Sequence, residues 1–155
     1  MSVQLMGAML TLRTEEDANG QLHLIEPLPA QTVPRPSSGD MQRIWLPPFR
    51  ATLVLWGAEP GPFQLQTSWI HPPEDDRRRL VETLLRTTES WWPEELFSVN
   101  LTDEYHIEVR HRVSGLYRLR FRFNGEQIAE LPVPIYWEDE LPSRVRLVVP
   151  PRRHA

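Results

Sequence analysis

Three side chains that can bind a divalent cation alternate along one predicted strand. Glu104, His106 and Glu108 would project from the same strand face, with Asp103 adjacent and His111 nearby. Carboxylates and imidazoles are ligands of divalent metals, so this set defines one alternative function, a metal-assisted hydrolase. The simpler interpretation is a polar, solvent-facing strand side on which glutamate and histidine neighbours stabilise each other. We therefore expect no metal and no other cofactor.

The sequence lacks the common motifs of nucleophilic catalysis and phosphate binding. It has 0 Cys and no Gly-x-Ser-x-Gly sequence, and its 7 Gly are scattered rather than grouped in one loop. These features exclude a cysteine nucleophile and leave the motifs of serine hydrolases and phosphate-binding loops unmatched. We therefore predict that the protein is not an enzyme.

Arginines at alternate positions predict a basic stripe on one strand face. The stripe consists of Arg118, Arg120 and Arg122, and apolar residues alternate with them. It is a candidate binding site for an anion or an acidic partner. The alternative is a solvated face that Glu126 and Glu130 neutralise from the neighbouring strand.

Tryptophan is abundant, and two of the six tryptophans are adjacent. Trp91 and Trp92 cannot both face inward on a regular element, so one of them is expected to be exposed. An exposed indole can anchor a protein partner or stack on a sugar ring, which makes this pair a candidate binding site. The alternative is that both residues cover the end of a helix and the rim of the core.

The distribution of proline predicts the fold that positions these residues. The chain has 16 Pro, which breaks helices and central strands alike, and most of them lie between apolar segments. Short strands joined by Pro-rich turns are typical of an all-β sandwich or barrel. We predict a mostly β, antiparallel two-sheet sandwich in one domain over residues 1–149, with a Pro-rich surface loop at residues 27–40 and a C-terminal tail at residues 150–155. The predicted strands are residues 3–13, 21–26, 49–56, 63–70, 97–101, 105–113, 116–123, 126–135 and 144–149.

One segment departs from the strand pattern. Leu80, Val81, Leu84 and Leu85 recur at helical spacing, and three acidic residues follow two prolines where a helix would begin. These features predict one inserted α-helix around residues 74–89.

The dipeptide Asn124-Gly125 predicts a hairpin between two alternating strands. A two-residue loop would place Leu119 opposite Glu130 on the apolar face, whereas a three-residue loop would place Leu119 opposite Ala129. Burying a carboxylate costs far more free energy than a cross-strand ion pair contributes. We therefore predict the three-residue loop.

The strand that begins at Gly115 resembles a known pattern. Gly115-Leu116-Tyr117 followed by Asn124-Gly125, after a Pro-rich connection, resembles a family of small bacterial proteins of unknown function with an immunoglobulin-like or C2-like β-sandwich. The resemblance covers residues 1–136, apart from the predicted helix. It implies a sandwich fold and supplies no catalytic residues.

Charge and composition narrow the range of partners. The formal net charge is −4, which argues against general affinity for nucleic acid. The first residues lack the basic and apolar regions of a signal peptide, and no apolar run has the roughly 18 residues of a membrane span. A cysteine-free chain fits a reducing compartment. We expect a cytoplasmic protein with no membrane contact.

The expected activity is therefore binding. Sheet edges are natural pairing sites, so we expect a protein partner or a second copy in a homodimer, with Pro132 and Pro134 guarding one edge. Two alternatives remain: a carbohydrate or small-ligand binding module that uses exposed tryptophans, and the metal-assisted hydrolase.

Overall fold

The computed structural model describes residues 3–34, 44–73, 81–109 and 114–140. Within these ranges every regular element is a β-strand, which confirms the prediction of a mostly β fold. The strands are β1 (Gln4–Glu16), β2 (Leu22–Pro27), β3 (Gln31–Val33), β4 (Ile44–Trp45), β5 (Phe49–Trp56), β6 (Gly61–His71), β7 (Val81–Trp92), β8 (Ser98–Tyr105), β9 (Glu108–Val109), β10 (Gly115–Phe123) and β11 (Glu126–Trp137).

The strands form two larger sheets and one small one. A four-stranded sheet has the order β2-β1-β5-β8, and a five-stranded sheet has the order β3-β11-β10-β6-β7. Strands β4 and β9 pair separately. Every pairing is antiparallel except that of β3 with β11. The predicted loop over residues 27–40 thus contains a strand, β3, while residues 35–40 and the predicted elements after residue 140 lie outside the described residues.

The core lies between the two larger sheets, and strict alternation on β5 and β6 builds much of it. Apolar residues at every second position face inward because successive side chains of a strand point to opposite faces. The inward-facing residues are Phe49, Ala51, Leu53 and Leu55 on β5, and Phe63, Leu65, Thr67 and Trp69 on β6, and all eight are buried. Each set alternates in the sequence, and this alternation by itself predicts both inward faces.

Tyr105 connects the two sheets at the end of β8. Its hydroxyl forms a buried hydrogen bond of 2.8 Å with Thr67 Oγ1 on β6. Its ring also meets Phe121 of β10 edge to face, with 6.4 Å between the centroids. Burial raises the pKa of Tyr105 to about 12, because the phenolate would lose its hydration.

The prediction of a helix around residues 74–89 is wrong over residues 81–89, which belong to β7 and pair with β6. Residues 74–80 lie outside the described residues. The pairing shifts between Thr67 and Ser68, so that Leu85 is an extra residue on β7. Such a bulge breaks the two-residue period, and the adjacent Leu84 and Leu85 consequently look helical. The threonines of this segment have a β preference that the helical interpretation overlooked.

The prediction of a three-residue loop is also wrong. Phe123 pairs with Glu126, which leaves only Asn124 and Gly125 in the turn. Both turn residues have positive φ, 48° and 84°, as a type I′ turn requires.

A bulge on β11 removes the glutamate from the core instead. The register shifts between Phe121 and Arg122, and Ile128 is the extra residue. Leu119 therefore pairs with Leu131, while Glu130 pairs with Arg120 on the outer face. Glu130 is thus kept off the core face, as the sequence predicts, but the extra residue that achieves this lies within β11 rather than in the turn.

Candidate interaction edge

Strand β7 forms one edge of the five-stranded sheet. It has 12 residues and pairs with β6, and no described strand pairs with its other side. Every residue of β7 except Trp92 is exposed. An edge strand of this length presents a row of backbone N–H and C=O groups that another strand can bind. We call this free side the β7 edge.

Strand β7 carries two features that oppose strand addition, the bulge at Leu85 and the inward-facing charge of Arg86, but it lacks two others. The segment contains no proline before Pro93 and no lysine. Its exposed large apolar side chains include Leu84, which is 58% exposed, and Trp91, which is 66% exposed. Both lie on the outer face of the sheet, since Leu84 pairs with Ser68 and Trp91 pairs with Pro62. The β7 edge therefore combines open backbone groups with apolar side chains.

The adjacent tryptophans divide between core and surface. Trp92 is 1% exposed, and its indole N–H donates a hydrogen bond of 2.9 Å to the carbonyl oxygen of Leu96. Its ring meets Phe63 and Phe123 edge to face. Because neighbouring residues of a strand face opposite ways, Trp91 points outward. The expectation that one of the pair is exposed thus applies to Trp91.

The arginine stripe lies on the same outer face, two strands away from β7. Arg118 pairs with Glu130 at 3.2 Å, and Arg120 pairs with both Glu130 at 3.6 Å and Glu82 at 3.1 Å. Arg122 also donates to Glu82. That hydrogen bond holds the pKa of the Glu82 carboxyl below its usual range.

Two carboxylates therefore face three guanidinium groups, which leaves one positive charge on the stripe. Glu130 was expected to neutralise it, but the second partner is Glu82 of β7 rather than Glu126. Glu82 is not predicted as a partner from the sequence, because the apolar spacing around it is typical of a helix. The ion pairs also attach β7 to β10 across β6, which fixes the outer face of the β7 edge.

The three possible metal ligands occupy different surroundings. Glu104 at the end of β8 pairs with Arg50 at 3.3 Å. His106 lies against Trp45 with 4.6 Å between the ring centroids and the ring planes tilted, and Glu108 belongs to the small sheet. The described residues contain no group of three or more His, Cys, Asp or Glu that could hold a metal ion, and His111 lies outside them. The convergence that a metal-assisted hydrolase requires is thus not found in this part of the chain.

The exposed tryptophans do not form a common platform. Trp45 lies on β4 beside His106, whereas Trp56 is the last residue of β5, in the other sheet from Trp91. Within the described ranges no two of these three rings are in contact. A carbohydrate site built from coplanar tryptophans stays a prediction without geometric support.

None of the described residues forms a helix long and apolar enough to cross a membrane.

Comparisons with known proteins do not assign the chain to a family. The sequence matches no protein-family model and no curated protein.

Proposed function

We propose that the protein is a non-enzymatic interaction module, a two-sheet sandwich of immunoglobulin-like or C2-like type that binds a partner through the β7 edge. The observation that carries the proposal is the 12-residue strand β7, whose free side pairs with no described strand. A cytoplasmic location, which the cysteine-free composition favours, belongs to the same proposal.

Strand addition is the binding mode that this edge suits. Main-chain hydrogen bonds to an incoming strand supply affinity, and contacts of alternate side chains supply specificity. On the outer face, Leu84 and Trp91 provide apolar contact area. Aromatic residues such as Trp91 are frequent anchors in protein interfaces.

The partner that we propose is a second copy of this chain, paired antiparallel about a twofold axis. Directly opposite residues share a face in such a sheet, and the extra residue Leu85 shifts the alternation on each strand. If Thr88 pairs with Thr88 of the second copy and the extra residue Leu85 is left out of the ladder, Trp91 lies opposite Leu84 of the second copy. Twofold symmetry repeats this apolar pair, so both exposed side chains become covered in both chains.

The neighbouring register is less favourable. A twofold axis at Thr87 would place Trp91 opposite Glu82, which already pairs with Arg120 and Arg122. Covering Glu82 with an indole would remove water from those ion pairs. The register centred on Thr88 avoids this cost.

Light scattering of the purified full chain at increasing concentration tests the proposal. The expected mass is twice the 18.2 kDa of one chain. The edge variant, Leu84→Lys with Trp91→Lys, is expected to remain a monomer, because two lysines on an edge oppose strand pairing. Its circular dichroism should match the parent, since both side chains are more than half exposed.

A charge-matched control carries Met6→Lys with Trp45→Lys, which are also exposed and lie outside β7. This control is expected to dimerise like the parent. A parent that stays at 18.2 kDa at the highest concentration would overturn self-pairing. A dimer that persists in the edge variant would place the interface elsewhere.

A further inference from the structure

A cavity of about 230 Å³ opens between β7 and β8, the facing edges of the two larger sheets. Its floor is apolar and comes from both sheets, so it is a gap between the layers rather than a surface groove. The floor residues are Leu53, Phe63, Leu65, Leu101, Tyr105 and Phe121.

Contacts limit the cavity at both ends. At one end, within the five-stranded sheet, Phe63 meets Trp92 edge to face, and the hydrogen bond to Leu96 holds that indole in place. At the other end Arg86 of β7 forms an ion pair with Asp103 of β8.

The Arg86 guanidinium is fully engaged at that end. It lies 5.1 Å from the ring centroid of Tyr105 and donates a hydrogen bond of 3.1 Å to the carbonyl oxygen of Glu104. The ion pair with Asp103 raises the pKa of Arg86. These contacts keep the two sheet edges at a fixed separation beside the opening.

The mouth of the cavity carries polar groups that the protein does not use. The side chains of Thr88 and Ser90 line it, since these residues pair with the inward-facing Leu65 and Phe63. Among the described residues these two side chains have no hydrogen-bond partner. They can therefore donate to or accept from a ligand without breaking an existing contact.

We propose that this cavity binds a small, uncharged molecule that is mostly apolar and carries one hydroxyl or amide group. An engineered cavity of roughly 150 Å³ lined by aliphatic and aromatic residues binds benzene, so 230 Å³ has room for a substituted ring. The ligand is expected to be uncharged because of the charged residues beside the mouth. Arg86 and Asp103 neutralise each other, so neither has a free charge for an ionic headgroup.

The probe for the test is p-cresol, which has an apolar ring and one hydroxyl group. Calorimetric titration into the full chain is expected to show saturable binding at one site per chain. Benzoate and benzylamine, of similar size but charged, are expected to bind at least about tenfold more weakly, which corresponds to about 1.4 kcal/mol. Equal binding of the charged probes would overturn the assignment of an uncharged ligand.

Two tryptophan substitutions on neighbouring positions of β7 localise the binding. Ser90→Trp fills the mouth from the inner face, while Glu89→Trp adds the same bulk on the outer face, where Glu89 pairs with Gln64. The first is expected to abolish p-cresol binding and the second to leave it unchanged. Equal affinity in the two variants, or no saturable binding by the parent, would overturn the site.

All the residues that line the cavity come from one chain, although Thr88 at its mouth also lies at the proposed twofold axis. The titration is therefore repeated in the edge variant, Leu84→Lys with Trp91→Lys, where binding at least as tight as in the parent is expected because no second copy stands beside the mouth. Binding that survives in a monomer supports the cavity even if self-pairing fails. Binding that is lost together with the dimer would overturn a site formed by a single chain.

Discussion

The two edges of the five-stranded sheet differ in how open they are to another strand. At one edge, β3 covers Ile135, Tyr136 and Trp137 of β11, and the uncovered part of β11 carries Pro132 and Pro134. At the other edge, β7 runs for 12 residues without a proline, and no described strand covers it.

This contrast shows that the sheet protects its edges selectively. Proline has no N–H, and it is tolerated in a strand where its nitrogen faces away from the neighbouring strand. Pro132 and Pro134 both lie in the part of β11 that pairs with β10. A nitrogen without hydrogen cannot donate to β10, so both nitrogens belong on the free side of β11. The guarding role of the two prolines stays a prediction. Of the two edges of this sheet, β7 is the one without proline.

Removing the prolines gives the largest expected change. With Pro132→Thr and Pro134→Thr, both edges of the sheet would offer N–H donors. Two open edges allow growth beyond a closed dimer. We expect light scattering to show species larger than twice the 18.2 kDa chain. The same substitutions in the edge variant, which blocks β7, should stop at dimers.

A mass unchanged by the proline substitutions would contradict the guarding role. It would mean that the backbone of β11 is not accessible even when its N–H groups are restored. The difference between the two edges would then lie in β3 and not in proline.

The second prediction concerns the two tryptophans at the end of β7. Trp92→Ala is expected to lower the free energy of unfolding by about 3 to 5 kcal/mol, because it empties a buried site between Phe63 and Phe123. Trp91→Ala is expected to change it by less than about 0.5 kcal/mol, since that ring is exposed. Urea unfolding at a concentration where the protein is monomeric measures both values.

Similar losses in the two variants would show that Trp91 also contributes to the core. The division of this pair between packing and binding would then be wrong. The concentration matters because loss of a dimer contact would otherwise be counted as loss of fold stability.

Regular alternation explains which parts of the fold the sequence predicts. On β5 and β6 no extra residue interrupts the period, so Phe49 to Leu55 and Phe63 to Trp69 were assigned to the correct faces. On β7 and β11 the extra residues Leu85 and Ile128 shift the period. The position of a bulge depends on the partner strand, which a local pattern does not contain.

The candidate site was predicted in part for the same reason. The exposure of one of Trp91 and Trp92 follows from adjacency alone, and so does the shared face of the arginines. The role of Glu82 requires knowing that β7 lies beside β6 and that β6 lies beside β10. That order depends on contacts between residues some 40 positions apart, such as Glu82 and Arg122.

The smallest effect concerns the connection behind the β7 edge, where Tyr105 of β8 bonds to Thr67 of β6. The pKa of Tyr105 is about 12 in the folded chain and about 10 when unfolded, so at pH 11 the folded state binds more protons than the unfolded state. The contribution of Tyr105 to the free energy of unfolding is therefore fully present below pH 10 and is lost as the pH rises toward 12. The full loss is about 2 to 3 kcal/mol, because each unit of pKa difference corresponds to about 1.4 kcal/mol.

Urea unfolding from pH 9 to 12 measures this loss, and absorbance of the phenolate follows the ionisation. Tyr105→Phe should be less stable by about 1 kcal/mol at pH 9, because Thr67 loses its buried partner. It should also lose the fall in stability above pH 10. The parent falls by more than the difference at pH 9, so it becomes the less stable of the two chains as the pH approaches 12. An equal fall in both chains would assign the alkaline transition to another group. The hydrogen bond between Tyr105 and Thr67 would then hold the two sheets together independently of this titration.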